Sequence, residues 1–584
     1  MHFAVILPAL AGLAVASPVH LDRRATALRD SPSGTYAPTV GACPASGVTI
    51  RQGAIVDPQE AAYIQEKTVT SLGDWKSYLG GVGLEGLDVN TFVSEGANAD
   101  PGKTMPLVGF AVSGGGQRAM LVGGGILAAF DNRNATAVAA KSGGVLQIAQ
   151  YLVGLSGGSW LTGSYAVADF PSFESLRDDV WDMTENFFAP KQEDPTGVAD
   201  AVASIGLKHK AGSPVSSIDA YGRILAYHLV NDTRSPIDVT SGPGAATLWS
   251  SIKKTSNFIS RIAPFPIIIS CGRTVGNRVI DISSPIYEST PYTFGTNLPS
   301  SGGLSVPIEY LGTNFTAGVA SSQSCVTGFD NAAFLMGCSG NILGAPIFLA
   351  ERSIDLTAIT DNPDISAALD AVPDEKADNG RVINPFAGLS SATGYPASAD
   401  LELALIDGGF GGENVPFFPL IQPQRALDVI IAIDASADTD NFPDGREIYH
   451  TYQKTQQPGY SATPFPVIPP VESFVAQGLN KRPVFFGSDC YAQPQNVSTP
   501  LVVYVPNYNI VFATNTSTGT NSYSNEDTQS FFDNGFAIAT QSLSPSWSSC
   551  LACALVDAQQ GRNGVARSEQ CQSCFAEYCY MGTM

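Results

Sequence analysis

Pro106-Leu107-Val108-Gly109-Phe110-Ala111-Val112 runs directly into Ser113-Gly114-Gly115-Gly116-Gln117-Arg118-Ala119-Met120. The first seven residues are almost wholly apolar, without polar alternation, which predicts a strand buried on both faces of a parallel sheet. The next eight place small-residue amides at the strand's end, and Arg118 to Asp131 continues with helix-compatible spacing. A second strand, turn and helix is predicted over Val145–Trp160, with Gly154-Leu155-Ser156-Gly157-Gly158-Ser159-Trp160 at its turn. Phe265–Ile269, Leu403–Ile406 and Asp428–Ile433 are further apolar strands, and Glu60 to Tyr78 suits helix. Between about 232 and 400 the abundant Gly, Pro, Ser and Thr favour loops and short strands over long helices. The expected class is α/β, with a mainly parallel central sheet and large insertions around one principal domain.

Length and charge narrow the setting. The 584 residues exceed a usual single core, so one large elaborated domain or a few smaller ones are expected. With 31 Lys and Arg against 53 Asp and Glu, the formal charge of -22 disfavours nucleic acid and anionic membranes as partners. Residues 1–16 have the apolar run and the Ala14-Val15-Ala16 ending of a signal peptide, too short to span a bilayer. Residues 17–42 form a Pro/Ser/Thr/Ala-rich lead-in, in which Arg23-Arg24 suits a second processing cut and would make 17–24 a propeptide. The remaining 43–584 would be the principal domain, with a Cys-rich segment at 545–584. Sequons at Asn134, Asn231, Asn314, Asn496 and Asn515 fit N-glycosylation and export. No other segment is apolar enough to cross a membrane, and no hydrophobic tail suits a glycolipid anchor. A secreted, extracellular protein is expected.

Cys550-x-x-Cys553 and Cys571-x-x-Cys574 have the spacing of a zinc ribbon. Beside an export signal, disulfides are the preferred reading, and no metal is expected. Cys579 makes this cluster odd in number, so at least one of its cysteines pairs with Cys43, Cys271, Cys325, Cys338 or Cys490, or stays free.

Three motifs carry chemistry. Gly154-x-Ser156-x-Gly158 fits a nucleophile elbow, where a strand ends abruptly and the serine hydroxyl projects at a helix N-terminus. The Gly114–Gly116 amides suit stabilisation of an oxyanion, and Arg118 offers a planar fork to an anionic head group. That first loop also matches the Gly-x-Gly-x-x-Ala dinucleotide fingerprint, a poor fit to an exported protein, and no Gly-Lys-Ser/Thr follows to make a P-loop. In Ile406-Asp407-Gly408-Gly409-Phe410-Gly411-Gly412-Glu413-Asn414-Val415-Pro416, an Asp ends a strand and glycines leave one side of it uncrowded, as a base beside serine requires. Beyond the leader the histidines are His209, His228 and His450. A Ser–Asp–His triad would use His450, but its surroundings resemble a solvated helix, so a Ser–Asp dyad is preferred, partly on the resemblance that follows. A non-catalytic lipid-binding protein with phosphate-cradling loops is the reading outside enzymes.

From about Cys43 onward the chain resembles the fungal lysophospholipases of the phospholipase B family, which are similar to the catalytic domain of group IV cytosolic phospholipases. The three motifs in this order carry the resemblance. It implies a three-layer, patatin-like acyl-hydrolase fold, with Ser156 as nucleophile and Asp407 as its base. It also implies Gly115 and Gly116 as oxyanion donors and Arg118 as phosphate partner. The expected substrates are lysophospholipids, and phospholipids, at micelle or membrane surfaces. The calcium-binding docking domain of the cytosolic relatives is lacking, so no cofactor and no calcium dependence are expected.

Overall fold

The computed structural model describes residues 27–53, 56–98, 104–187, 197–231, 242–273, 282, 284–298, 302–320, 324–341, 378–389, 394–457, 460, 463–487, 490 and 499–582. The leader, the Arg23-Arg24 pair and the Asn496 sequon lie outside them.

The apolar runs form the middle of one 12-stranded sheet. Its strands are β1 (Arg51–Gln52), β2 (Val108–Val112), β3 (Tyr151–Gly154), β4 (Phe265–Arg273), β5 (Ile286–Ser289) and β6 (Thr293–Thr296). They continue as β7 (Leu304–Pro307), β8 (Gly380–Ile383), β9 (Glu402–Ile406), β10 (Val429–Asp434), β11 (Val484–Phe486) and β12 (Leu501–Pro506). The order is β11-β12-β10-β2-β3-β4-β5-β6-β7-β1. Strands β12, β10, β2, β3 and β4 are parallel, and every residue in them is buried, as unalternated sequence requires. The flanks are antiparallel, so the sheet is mixed, with a parallel core rather than parallel strands throughout. Short strands at the flank come from the Gly/Pro/Ser/Thr-rich region, where a tight turn joins neighbours and no crossover helix is needed.

The helical prediction near the N-terminus is met by α1 (Pro58–Thr70), α2 (Leu72–Val82) and α3 (Val89–Asn98). Beyond β2 lie α4 (Gly116–Ala128), α5 (Gly157–Val167), α6 (Gly197–Lys210), α7 (Ser217–Leu229), α8 (Ala332–Ser339), α9 (Arg446–Thr455), α10 (Asn525–Thr540), α11 (Pro545–Arg562) and α12 (Glu569–Tyr578). Two faces of β2 are covered by different material. A Cβ on Gly123 of α4 would lie 3.1 Å from Val112 Cγ1, whereas one on Gly109 would lie 3.0 Å from Leu420 and 3.1 Å from Leu427. Since alternate strand residues face opposite ways, helix packs on one side and the 413–427 segment on the other.

One feature of β4 positions the site. Its first half pairs in parallel with β3, Gly154 lying opposite Ile268, and on the same edge its last residues pair antiparallel with β9, Ile406 lying opposite Cys271. The two strands therefore run toward each other along one edge and stop on either side of Ile269 and Ser270. Ser156 follows one end and Asp407 the other.

Disulfides fasten the periphery. Cys43–Cys325 ties the lead-in to the strand Cys325–Thr327, with which Thr39–Gly41 also pairs. Cys550–Cys574 and Cys553–Cys571 join α11 to α12, and Cys490–Cys579 uses the odd cysteine. The four cysteines with zinc-ribbon spacing are thus consumed in pairs. Cys271 and Cys338 are buried thiols. Among the described residues no helix is long and apolar enough to cross a membrane.

Candidate active site

At the end of β2 the ladder continues one residue, Ser113 N–H donating to Ile433 O at 3.0 Å. The chain then turns sharply through Gly115 (φ 136°) and Gly116 (φ 66°), where an L side chain is strained. Space forbids one as well: a Cβ on Gly115 would lie 2.6 Å from Ala435 O, and one on Gly116 2.6 Å from Thr518 O. Gly115 caps α4 without a side chain, so no side-chain acceptor competes for the first-turn amides.

At the end of β3, Ser156 has φ 51° and ψ -122°, a strained conformation for a residue with a Cβ. The flanking glycines follow from close approach. A Cβ on Gly154 would meet Gly158 O at 2.2 Å, and one on Gly158 would meet Val112 O at the same distance. Ser156 caps α5 but makes no side-chain cap hydrogen bond, so the hydroxyl is not spent on the helix. Its own amide donates to Ser339 Oγ at 3.1 Å, and the Gly158 amide donates to Ser113 O at 3.1 Å. Two amides of the elbow are thus engaged within the protein, next to the Gly115–Gly116 loop. That loop is adjacent, because a Cβ on Gly157 would fall 2.1 Å from Gly116 O.

At the end of β9, the Asp407 amide donates to Asn341 O at 3.3 Å, and its Oδ1 accepts from the Gly409 amide at 2.8 Å. A Cβ on Gly408 would lie 2.8 Å from Leu155 Cδ1, so this turn packs on the residue preceding Ser156. Asp407 is buried, and its charge joins burial in pushing the Tyr221 phenol well up. Behind the turn, Glu413 is fully buried, 3.7 Å from Lys454 Nζ of α9; burial pushes its carboxyl up to about 7 against the pull of that lysine.

Arg118 is enclosed by protein acceptors. It is 0% exposed, and its Nε and Nη2 donate to Ala435 O at 3.1 and 3.0 Å. Nη1 donates to Thr516 O at 2.5 Å and Nη2 also to Thr518 Oγ1 at 3.2 Å. Arg118, expected as a phosphate partner, is held here by two carbonyls and a threonine hydroxyl, because the 516–518 segment folds over it.

The histidines are dispersed. His209 is exposed on α6. His228 is buried on α7, Nδ1 3.0 Å from Asp182 O and the ring 5.1 Å from Phe187. His450 sits on α9 behind the Gly408–Gly412 turn, Nδ1 3.4 Å from Glu447. Of the described sequons, Asn314 is exposed, Asn231 is half-buried, and Asn515 Nδ2 donates to Asp440 O at 3.4 Å. Asn134 caps the Ala135–Ala139 helix and donates to Glu174 at 2.5 Å. Sequence reasoning missed Ser339, whose hydroxyl carries no motif. Asn414 lies inside the Asp407 motif, where the sequence alone assigns it no role.

The chain as a whole is similar to known proteins. The sequence model of a family described as "Lysophospholipase catalytic domain" matches residues 108–584. Lysophospholipase 1 of Aspergillus fumigatus is 35% identical over 591 residues, covering 97% of this chain and 90% of the relative. Probable lysophospholipase 5 of Schizosaccharomyces pombe is 34% identical over 596 residues, covering 99% and 92%. Human GIVD cytosolic phospholipase A2 is similar in fold, with TM-score 0.62 at 16% identity over 89% of this chain and 69% of that one.

Proposed function

Since the chain belongs to this lysophospholipase family and is a carboxylic-ester hydrolase, we propose that it is a secreted, phospholipase B-type enzyme working through a Ser156–Asp407 dyad. It releases fatty acid from lysophospholipids, and from diacyl phospholipids, through an acyl-serine intermediate. Ser156 Oγ attacks the ester carbonyl while its proton passes to Asp407. The carbonyl oxygen becomes an oxyanion facing the Gly115 and Gly116 amides. Collapse breaks the acyl–oxygen bond, and the glycerophosphodiester leaves with the proton from Asp407, leaving acyl-Ser156. Water then attacks, gives a proton to Asp407, and frees the fatty acid as the proton returns to Ser156. Arg118 enters this reading as the brace of the oxyanion loop.

The observation that supports it most is the convergence of β3 and β9 on one edge of β4, which brings the Ser156 elbow against the Asp407 turn. Disulfides, the signal-like leader and the sequons support export and glycosylation. The test is fatty-acid release from lysophosphatidylcholine, with a chelator present. Ser156→Ala and Asp407→Asn should each abolish release, whereas His450→Ala should retain most of it. Full turnover by Ser156→Ala refutes the nucleophile; loss of several orders of magnitude in His450→Ala replaces the dyad by a triad.

A further inference from the structure

We propose that Asn414 is a positioning residue, held in one orientation by a polarity relay from Asp434 through Ser436, and that it sets the spacing between the oxyanion loop and the Asp407 turn. The inference rests on the Ser156–Asp407 reading and adds to it what joins the two halves.

Asn414 lies between them. Its carbonyl accepts the Gly114 amide at 2.9 Å. A Cβ on Gly114 would lie 2.4 Å from Asn414 Oδ1 and 3.0 Å from Ser156 Cβ. A Cβ on Gly409 would lie 2.8 Å from the same Oδ1 and 3.2 Å from Asp407 Oδ1. The amide oxygen therefore fills a wedge bounded by two glycines, beside both proposed catalytic side chains. Residues larger than glycine at 114 or 409 would expel it.

Hydrogen-bond polarity fixes which end of the amide enters the wedge. Asp434, fully buried at the end of β10, accepts from the Tyr504 hydroxyl at 2.8 Å, the Ser436 amide at 2.9 Å and Ser436 Oγ at 2.5 Å. An ionised carboxylate only accepts, so the Ser436 hydroxyl proton is committed to it. The Ser436 oxygen is left as an acceptor, and Asn414 Nδ2 donates to it at 2.6 Å. With the amino group held there, the carbonyl end must face Gly114 and Gly409. The same strand end also holds the oxyanion loop, since the Ala435 amide donates to Ser113 Oγ at 2.8 Å. Asp434-Ala435-Ser436 thus anchors both loops to one rigid strand.

The test uses the full-length protein, a fluorophosphonate that labels Ser156, and steady-state kinetics on lysophosphatidylcholine. Ser436→Ala releases the amide and should lower both the labelling rate and kcat by about tenfold to a hundredfold, with KM and Tm close to wild type. Ser436→Thr, which keeps the hydroxyl, should restore most of that loss. Asn414→Ala should show a similar loss, and adding Ser436→Ala to it should cost nothing further, because both act through one amide. Wild-type rates in Ser436→Ala, failure of Ser436→Thr to restore them, losses that multiply in the double variant, or losses that follow a fall in Tm each overturn the relay. Ser156→Ala separates the two claims: if it stays active the dyad reading has failed, whereas a dead Ser156→Ala beside a normal Ser436→Ala removes only the relay.

Discussion

Replacing Arg118 by alanine tests whether the guanidinium is a brace or a substrate contact. The wild-type fork makes hydrogen bonds to Ala435 O, Thr516 O and Thr518 Oγ1, all in the protein. Deleting it strands at least these three acceptors, and each buried acceptor left without a donor costs about 1–3 kcal/mol. Much of that cost can be relieved if the 516–518 segment and the glycine loop part and admit water. The Gly115 amide then loses its fixed aim, since Arg118 Nη2 stands only 2.6 Å from where a Gly115 Cβ would be. Loss of one oriented oxyanion donor costs roughly 10²–10³ in kcat. Arg118→Ala should therefore lower kcat/KM by about a hundredfold, because the oxyanion is common to every ester substrate. The assay compares lysophosphatidylcholine with a monoacylglycerol of the same acyl chain. Both should fall together, their ratio staying within about threefold, as expected when only transition-state stabilisation is lost. A large loss on the phosphodiester with the neutral ester untouched would refute this reasoning. It would mean that the fork leaves its carbonyls for the substrate phosphate.

Other outcomes follow from packing and charge. Gly158→Ala would push a methyl to 2.2 Å from Val112 O, so activity should fall by more than about a hundredfold with a lower Tm. Gly206→Ala on α6 meets nothing within 4 Å and should raise stability by about 0.4–1 kcal/mol in thermal unfolding. Stability should rise as pH falls from about 7 towards 5. Burial lifts Glu413 to about 7, against Lys454, and Asp434 and Asp330 to about 6, so the folded chain binds protons before the unfolded one does. Glu413→Gln should flatten the upper part of that Tm profile, and an unchanged slope would argue against a protonating Glu413. A thiol reductant should lower Tm by breaking the α11–α12 disulfides, whereas a chelator should not; a chelator-sensitive Tm would return the metal reading.

The sequence by itself determined the local structure. Unalternated runs such as Val108–Val112 and Val429–Asp434 can be stable only as strands covered on both faces, and they are. The glycines at 154 and 158 marked an elbow because such backbone crossing excludes a Cβ, which local sequence records directly. Asp407 at a strand end was legible for the same reason. That the elbow and Asp407 work together rested partly on the family resemblance, because spatial partnership depends on which strands share an edge. Only pairing with β4 makes β3 and β9 converge, and nothing in either segment encodes the other. Arg118 shows the same limit: a lone cation beside a glycine loop suggests an anion, and the Thr516 carbonyl and Thr518 hydroxyl that hold it come from almost four hundred positions away. Ser436 and Ser339 lie in no motif, and Asn414, inside the Asp407 motif, has no recognisable part there, since an amide or hydroxyl is oriented by the one donor or acceptor that folding places against it.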